Sequence, residues 1–90
     1  MDDDERLIRL FGSTSRPRIL GLLLADTGKA FYQREVMYET GLSLQAVQRE
    51  LHNLVTLRFL KREEIHARVY YQADPTSPLF KPLKDIYHLH

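Results

Sequence analysis

Gln45, Gln48, Arg49 and His52 are separated by steps of three, one and three residues, the spacing that keeps side chains on one side of a helix. Amides and a guanidinium offer paired donors and acceptors, and the base edges of a DNA major groove are surfaces such groups can read: Gln matches adenine and Arg matches guanine. Between them run Leu44, Val47, Leu51, Leu54 and Val55, an apolar stripe expected to face a core. Asn53 and Thr56 are left on the outer side with the polar row.

Other chemistries find little material. The chain has no cysteine, which removes disulfides, thiolate metal sites and cysteine nucleophiles together and fits a reducing cytosol. There is no Gly-rich phosphate loop, no nucleophile with an evident base, and no acid cluster beyond the first five residues. His52 and His66 are isolated in sequence. No enzyme activity, metal or cofactor is expected.

Ninety residues suffice for one domain, 1–90, with a modest core. Hydrophobic residues at 43% and charged ones at 28% are those of an ordinary folded protein, so neither disorder nor a fibrous repeat is expected. The net charge of +1 conceals an asymmetry: residues 2 to 5 carry four acids, and the remainder carries thirteen bases against eight acids, a net +5. A basic body permits attraction to phosphates, although many proteins that never meet DNA share it. The acidic tip, residues 1–5, has the wrong charge for a secretory or mitochondrial leader, and no apolar run approaches the ~20 residues needed to span a bilayer. A cytoplasmic location without membrane contact is expected.

The elements that must position the polar row are legible in order. Acids in a first turn, then Leu7, Ile8, Leu10 and Phe11, predict a helix from Asp3 to Phe11. Gly12-Ser13-Thr14-Ser15 interrupts it, and Arg16-Pro17-Arg18 opens a second, largely buried helix carrying Ile19 to Leu24, closed by Asp26 to Lys29. Ala30-Phe31-Tyr32 is a short β-compatible patch, followed by a helix around Glu35 to Tyr38 that ends at Thr40-Gly41 with Gly41 left-handed. Leu42 plugs the core and Ser43 caps the helix of the polar row, which is expected to span 43–58 and to end near Arg58-Phe59. Leu60 to Ile65 and Arg68 to Ala73 read as two strands around a tight connection at His66-Ala67, although the Asn-Gly signature of a hairpin is missing. Asp74 to Pro78 breaks the chain before a terminal helix at about 79–89. The expected core comprises Ile19 to Leu24, Val36, Leu51, Leu54, Ile65 and Val69. Helices followed by a hairpin, with a short turn between the third and fourth, is the order of a winged helix-turn-helix, mainly α with a β-hairpin wing.

The same residues carry a family resemblance. "LFGSTSRPRILGLLL", "FYQREVMYETGLSLQAVQRELHNLVTLRFLKRE" and "ARVYYQADPTSPLF" are similar to the winged-helix transcriptional regulators of the ArsR-like group, especially small archaeal and bacterial forms related to winged-helix modules sometimes attached to nucleotidyltransferase domains. The likeness covers residues 7 to 80 and rests on Arg16 and Arg18 near a helix start, Y-x-R-E at Tyr32 to Glu35, T-G-L-S at Thr40 to Ser43, and the pair Tyr70-Tyr71. It implies a sequence-specific DNA-binding regulator, a dimeric repressor in its usual form, with Ser43, Gln45, Ala46, Gln48, Arg49 and His52 on the recognition helix. Lys61, Arg62 and Arg68 fall on the wing, and Arg34 is a phosphate-clamp candidate. Metal-sensing members carry a cysteine pair before the recognition helix or an acid-and-histidine set in the last helix. Here Gln33 to Thr40 holds no cysteine, and among Asp85, His88 and His90 the last is turned about 200° from His88 at ~100° per residue, so no metal site is expected.

The first and last helices each carry an apolar stripe: Leu7, Leu10 and Phe11, and Leu83, Ile86 and Tyr87. A core of this size is not expected to absorb both, and in the resembling family terminal helices form the dimer interface. A homodimer reading an inverted repeat in double-stranded DNA is therefore expected. The alternative is a winged-helix protein-interaction module that partners a separately encoded enzyme and binds no specific DNA.

Overall fold

A computed structural model describes residues 3–87 of the 90. The helices are α1 (Asp3–Phe11), α2 (Ser15–Ala25), α3 (Gln33–Thr40), α4 (Leu44–Thr56) and α5 (Phe80–Tyr87), and the strands are β1 (Phe31–Tyr32), β2 (Leu60–Ile65) and β3 (Arg68–Ala73). The strands form one antiparallel sheet in the order β1-β3-β2. His88 and His90, and the end of the expected 79–89 helix, lie outside the described residues.

Local chemistry accounts for most boundaries. Gly12 and Gly41 take positive φ, 68° and 72°, and their amides donate to the carbonyls of Ile8 and Met37, ending α1 and α3 with little steric cost. At the start of α3 the Glu35 carboxylate accepts from the Tyr32 amide at 3.0 Å, and Lys29 Nζ lies 3.2 Å from its other oxygen. Both hold the Glu35 carboxyl below its ordinary range, the backbone hydrogen bond being the larger cause. Asp74 accepts from the Thr76 hydroxyl and amide and closes the loop that leads to α5.

The core is built where α2, α4 and the sheet base meet. Ile19, Leu20, Leu23 and Leu24 of α2 pack with Val36, Val47, Leu51, Leu54, Phe59, Leu60, Phe31 and Ala73, all buried. Phe11, Leu79, Phe80, Leu83 and Tyr87 lie half-buried against this cluster. Helices α3 and α4 joined by the Gly41-Leu42-Ser43 turn, followed by the β2–β3 wing, make the fold a winged helix-turn-helix.

Five expectations are corrected, the first at Val69, which is half-buried on the wing and not part of the core cluster. Helix α4 ends at Thr56 rather than near Arg58-Phe59: Arg58 turns to φ 61°, its amide donates to the Val55 carbonyl and that of Phe59 to the Leu54 carbonyl, and Phe59 drops completely into the core. Leu44 is 44% exposed instead of facing the core. Ile65 is 47% exposed because it sits at the hairpin tip, beyond anything for the sheet to pack against. Asn53, assigned to the outer side, is half-buried. The connection at His66-Ala67 is tight, as expected, but both residues adopt positive φ, 52° and 64°, the backbone a primed two-residue turn demands and Asn-Gly would supply without strain.

Candidate nucleic-acid interface

Ser43 begins the site. It is extended at φ −69°, ψ 159°, and its hydroxyl oxygen accepts from the Ala46 amide at 3.2 Å, which fixes where α4 starts. From there Val47, Leu51 and Leu54 point into the core, and Gln45, Gln48, Arg49 and His52 are exposed opposite them; Ala46 is half-buried on the flank. Gln45 and His52 are separated by about 10 Å along the axis at ~1.5 Å per residue. At ~3.4 Å per base step, the row matches the edges of about three base pairs.

The helix is pinned by a residue the sequence reading missed. Glu50 is only 3% exposed, and its Oε2 accepts from Arg16 Nε at 2.8 Å while its Oε1 lies 3.6 Å from Arg49 Nε. The first contact ties the opening of α2 to the middle of α4, and the second draws the guanidinium of Arg49 toward the same carboxylate. The signal was available: Glu50 stands three residues after Val47 and four before Leu54, on the buried stripe, where a carboxylate needs a cationic partner.

The wing divides its bases. Side chains alternate along a strand, so Lys61, Glu63 and Ile65 share one face with their partners Gln72, Tyr70 and Arg68, and Arg62 and Glu64 point to the other with Tyr71 and Val69. Lys61 and Arg68 are thus on one face of the hairpin and Arg62 on the opposite one; all three are exposed. Arg68 is instead brought to Arg34. The two line a 510 Å³ groove with Tyr32, Gln33 and Val69.

Inside that groove Tyr32 accepts hydrogen bonds from Arg68 Nη1 at 3.2 Å and from the Tyr70 hydroxyl at 3.3 Å, and the two tyrosine rings lie 4.7 Å apart at 38°. Donation from Tyr70, then from Arg68, pulls the Tyr32 hydroxyl below the ordinary phenol range, and the same bond pushes Tyr70 above it. Two guanidinium groups beside an aromatic pair make an anion-favouring recess at the junction of α3 and the wing.

The expected dimer residues sit at the other end of the molecule. Leu7 is buried within the chain, and Phe11, Leu83 and Tyr87 are half-buried against the core, with Ile86 half-buried beside them. The Tyr87 hydroxyl donates to the Pro17 carbonyl at 2.8 Å, and burial pushes it far above the usual phenol range. More of the terminal grease is absorbed in one chain than the sequence implies. What stays outward is Leu10, 63% exposed, and Ile8, which borders a 360 Å³ groove lined by Leu7, Pro17, Gly21, Leu22 and Tyr87.

Among the described residues no cluster of His, Cys, Asp and Glu could hold a metal ion, and no helix is long and apolar enough to cross a membrane. No protein-family model matches the chain, and no curated protein matches it by sequence. Two solved structures are similar in fold. One is a predicted DNA-binding transcriptional regulator from E. coli, with a TM-score of 0.67 at 18% identity, covering 96% of this chain and 90% of that one. The other is MepR, a transcription regulator of the Staphylococcus aureus multidrug efflux pump MepA, with a TM-score of 0.72 at 17% identity, covering 97% of this chain and 66% of that one. At such identities the likeness is one of fold.

Proposed function

We propose that the chain is a sequence-reading, DNA-binding transcriptional regulator of ArsR-like type, acting in the cytoplasm as a homodimer that represses by occupying an inverted repeat. A single observation carries this reading: α4 buries one side completely and presents Gln45, Gln48, Arg49 and His52 on the other, in a helix-turn-helix followed by a wing. The row enters a major groove about 12 Å wide, with Gln45 and Gln48 suited to adenine and Arg49 to guanine. Arg34 and Arg68, in their shared groove, take a phosphate, and Lys61 and Arg62 add attraction on either side of the hairpin. Leu10 and Ile8, with the groove beside them, form the two-fold contact together with the outer edge of α5.

Base reading is tested on a duplex enriched from a randomised pool. Gln48→Ala or Arg49→Ala relaxes preference at one base pair by about 1–3 kcal/mol, and equal losses on every sequence would contradict base reading. The exposed Ile8 and Leu10 of α1 also suit a protein-interaction module partnering a separate enzyme. That second reading requires negligible DNA affinity at moderate salt. Leu10→Glu separates the oligomer question: it turns the dimer into a folded monomer, measured by light scattering, and an unchanged mass would place the interface elsewhere.

A further inference from the structure

The exposure of Leu44 has a chemical consequence. It is the first residue of α4, and Leu42, two residues earlier, is the one that packs against the core. Side chains tilt toward the N-terminus of a helix, so Leu44 extends past the first turn, over the Gly41-Leu42-Ser43 connection. Helical spacing sets it one turn before Gln48, about 40° around the axis, at the edge of the polar row. An apolar side chain is thereby aligned with a hydrogen-bonding one on the end of the helix that enters the groove.

We propose that Leu44 reads the 5-methyl group of a thymine next to the base pair contacted by Gln48, a role that rests on the DNA-reading function proposed above. Gln45, Gln48 and Arg49 can distinguish bases by donors and acceptors, but the methyl group of thymine is the one major-groove feature that calls for an apolar partner. Leu44 supplies that partner, and the contact covers a side chain that is otherwise 44% exposed to water. The half-site therefore contains a thymine whose identity is enforced by shape and apolar contact.

The experiment uses the full chain and an enriched duplex in which each thymine is replaced singly by deoxyuridine, which removes the methyl and leaves every hydrogen-bonding group. One thymine per half-site is expected to lose about fourfold in affinity on this replacement, the effect of uncovering one methyl group. Leu44→Ala is expected to bind the unmodified duplex about as weakly as the wild type binds the deoxyuridine duplex, and to be indifferent to the replacement. Its thermal midpoint should stay within a few degrees of wild type, because the side chain is outside the core.

An enriched duplex that tolerates deoxyuridine everywhere, or a Leu44→Ala protein as sensitive as wild type, would overturn the methyl contact and leave DNA reading intact. Absence of any enriched duplex would overturn both. Leu44→Met, which keeps an apolar chain of similar volume, should retain most of the sensitivity, and its complete loss in that variant would also count against the contact.

Discussion

Helix α4 and the β2–β3 wing are both expected to touch DNA, but they are built to opposite standards. Helix α4 is buried along one side, capped at Ser43 and pinned at Glu50 by Arg16, so the positions of Gln45, Gln48 and Arg49 are set by the core. The wing buries only its base, Leu60 and Ala73, and is held further out by hydrogen bonds from Arg68 and Tyr70 to Tyr32; from Lys61 to Arg68 every residue is exposed, and the tip carries two strained residues at positive φ. Reading base edges requires side chains held to a fraction of an ångström, and meeting a phosphate backbone does not. Burial is concentrated under the helix that would read sequence and is slight along the wing, where charge suffices.

The sharpest break of this contrast is in stability. Leu51→Ala removes a fully buried side chain from under the polar row and is expected to cost about 3–5 kcal/mol in urea unfolding, whereas Ile65→Ala at the wing tip should cost under ~1 kcal/mol. Comparable losses would mean that the wing belongs to the cooperative core. Next comes Arg16→Ala, which leaves Glu50 buried without its closest partner. Because Arg16 is one-third exposed, the expected loss is about 2–3 kcal/mol, below that of a wholly buried pair. The same variant should also loosen discrimination at the base pair assigned to Arg49.

Function sharpens the comparison at a smaller scale. Arg68→Ala is expected to weaken every duplex alike and to lower the slope of log affinity against log salt by about 1, in contrast to the position-specific losses from Arg49→Ala. A sequence-specific effect at Arg68 would give the wing a reading role. Ala67→Gly relieves a left-handed alanine and is expected to raise stability by about 0.5–1 kcal/mol in thermal melts, with DNA preference unchanged.

The smallest effect is a change of slope with pH. Glu35 is held below its ordinary value of 4.5, so its contribution is present in full above that value and is lost as pH falls through the folded one. Glu35→Gln should accordingly flatten the acid limb of stability below about pH 4.5. An unchanged limb would assign acid unfolding to other carboxylates.

What could be read from the sequence follows the same division. Gly12, Gly41 and Ser43 were legible because turn and cap chemistry is decided within three or four residues. Helix order and the hairpin followed from periodicity, and with them the winged helix. The positions of Leu44, Ile65 and Phe59 were not legible, because which member of an apolar series reaches the core depends on what lies across from it. With Leu42 packed on the core as expected, Leu44 was left outside, the hairpin tip outran the sheet's packing, and the chain reversal at Arg58 swung Phe59 inward. The polar row could be named but not its support: the Arg16–Glu50 pair spans 34 residues, a distance no local pattern crosses. Strand alternation alone sets Lys61 and Arg62 on opposite faces, but that Arg68 joins Lys61 depends on the register of the hairpin.

The central claim is that α4 reads sequence, and the most direct test is affinity of the full chain for its enriched duplex and for a scrambled duplex of equal length, across a salt series. The account predicts an inverted repeat bound at nanomolar strength, with at least a ~1,000-fold preference over the scrambled duplex that persists at physiological salt. Equal, weak affinity for both duplexes, falling steeply together as salt rises, would contradict it and leave only attraction between a basic surface and phosphates.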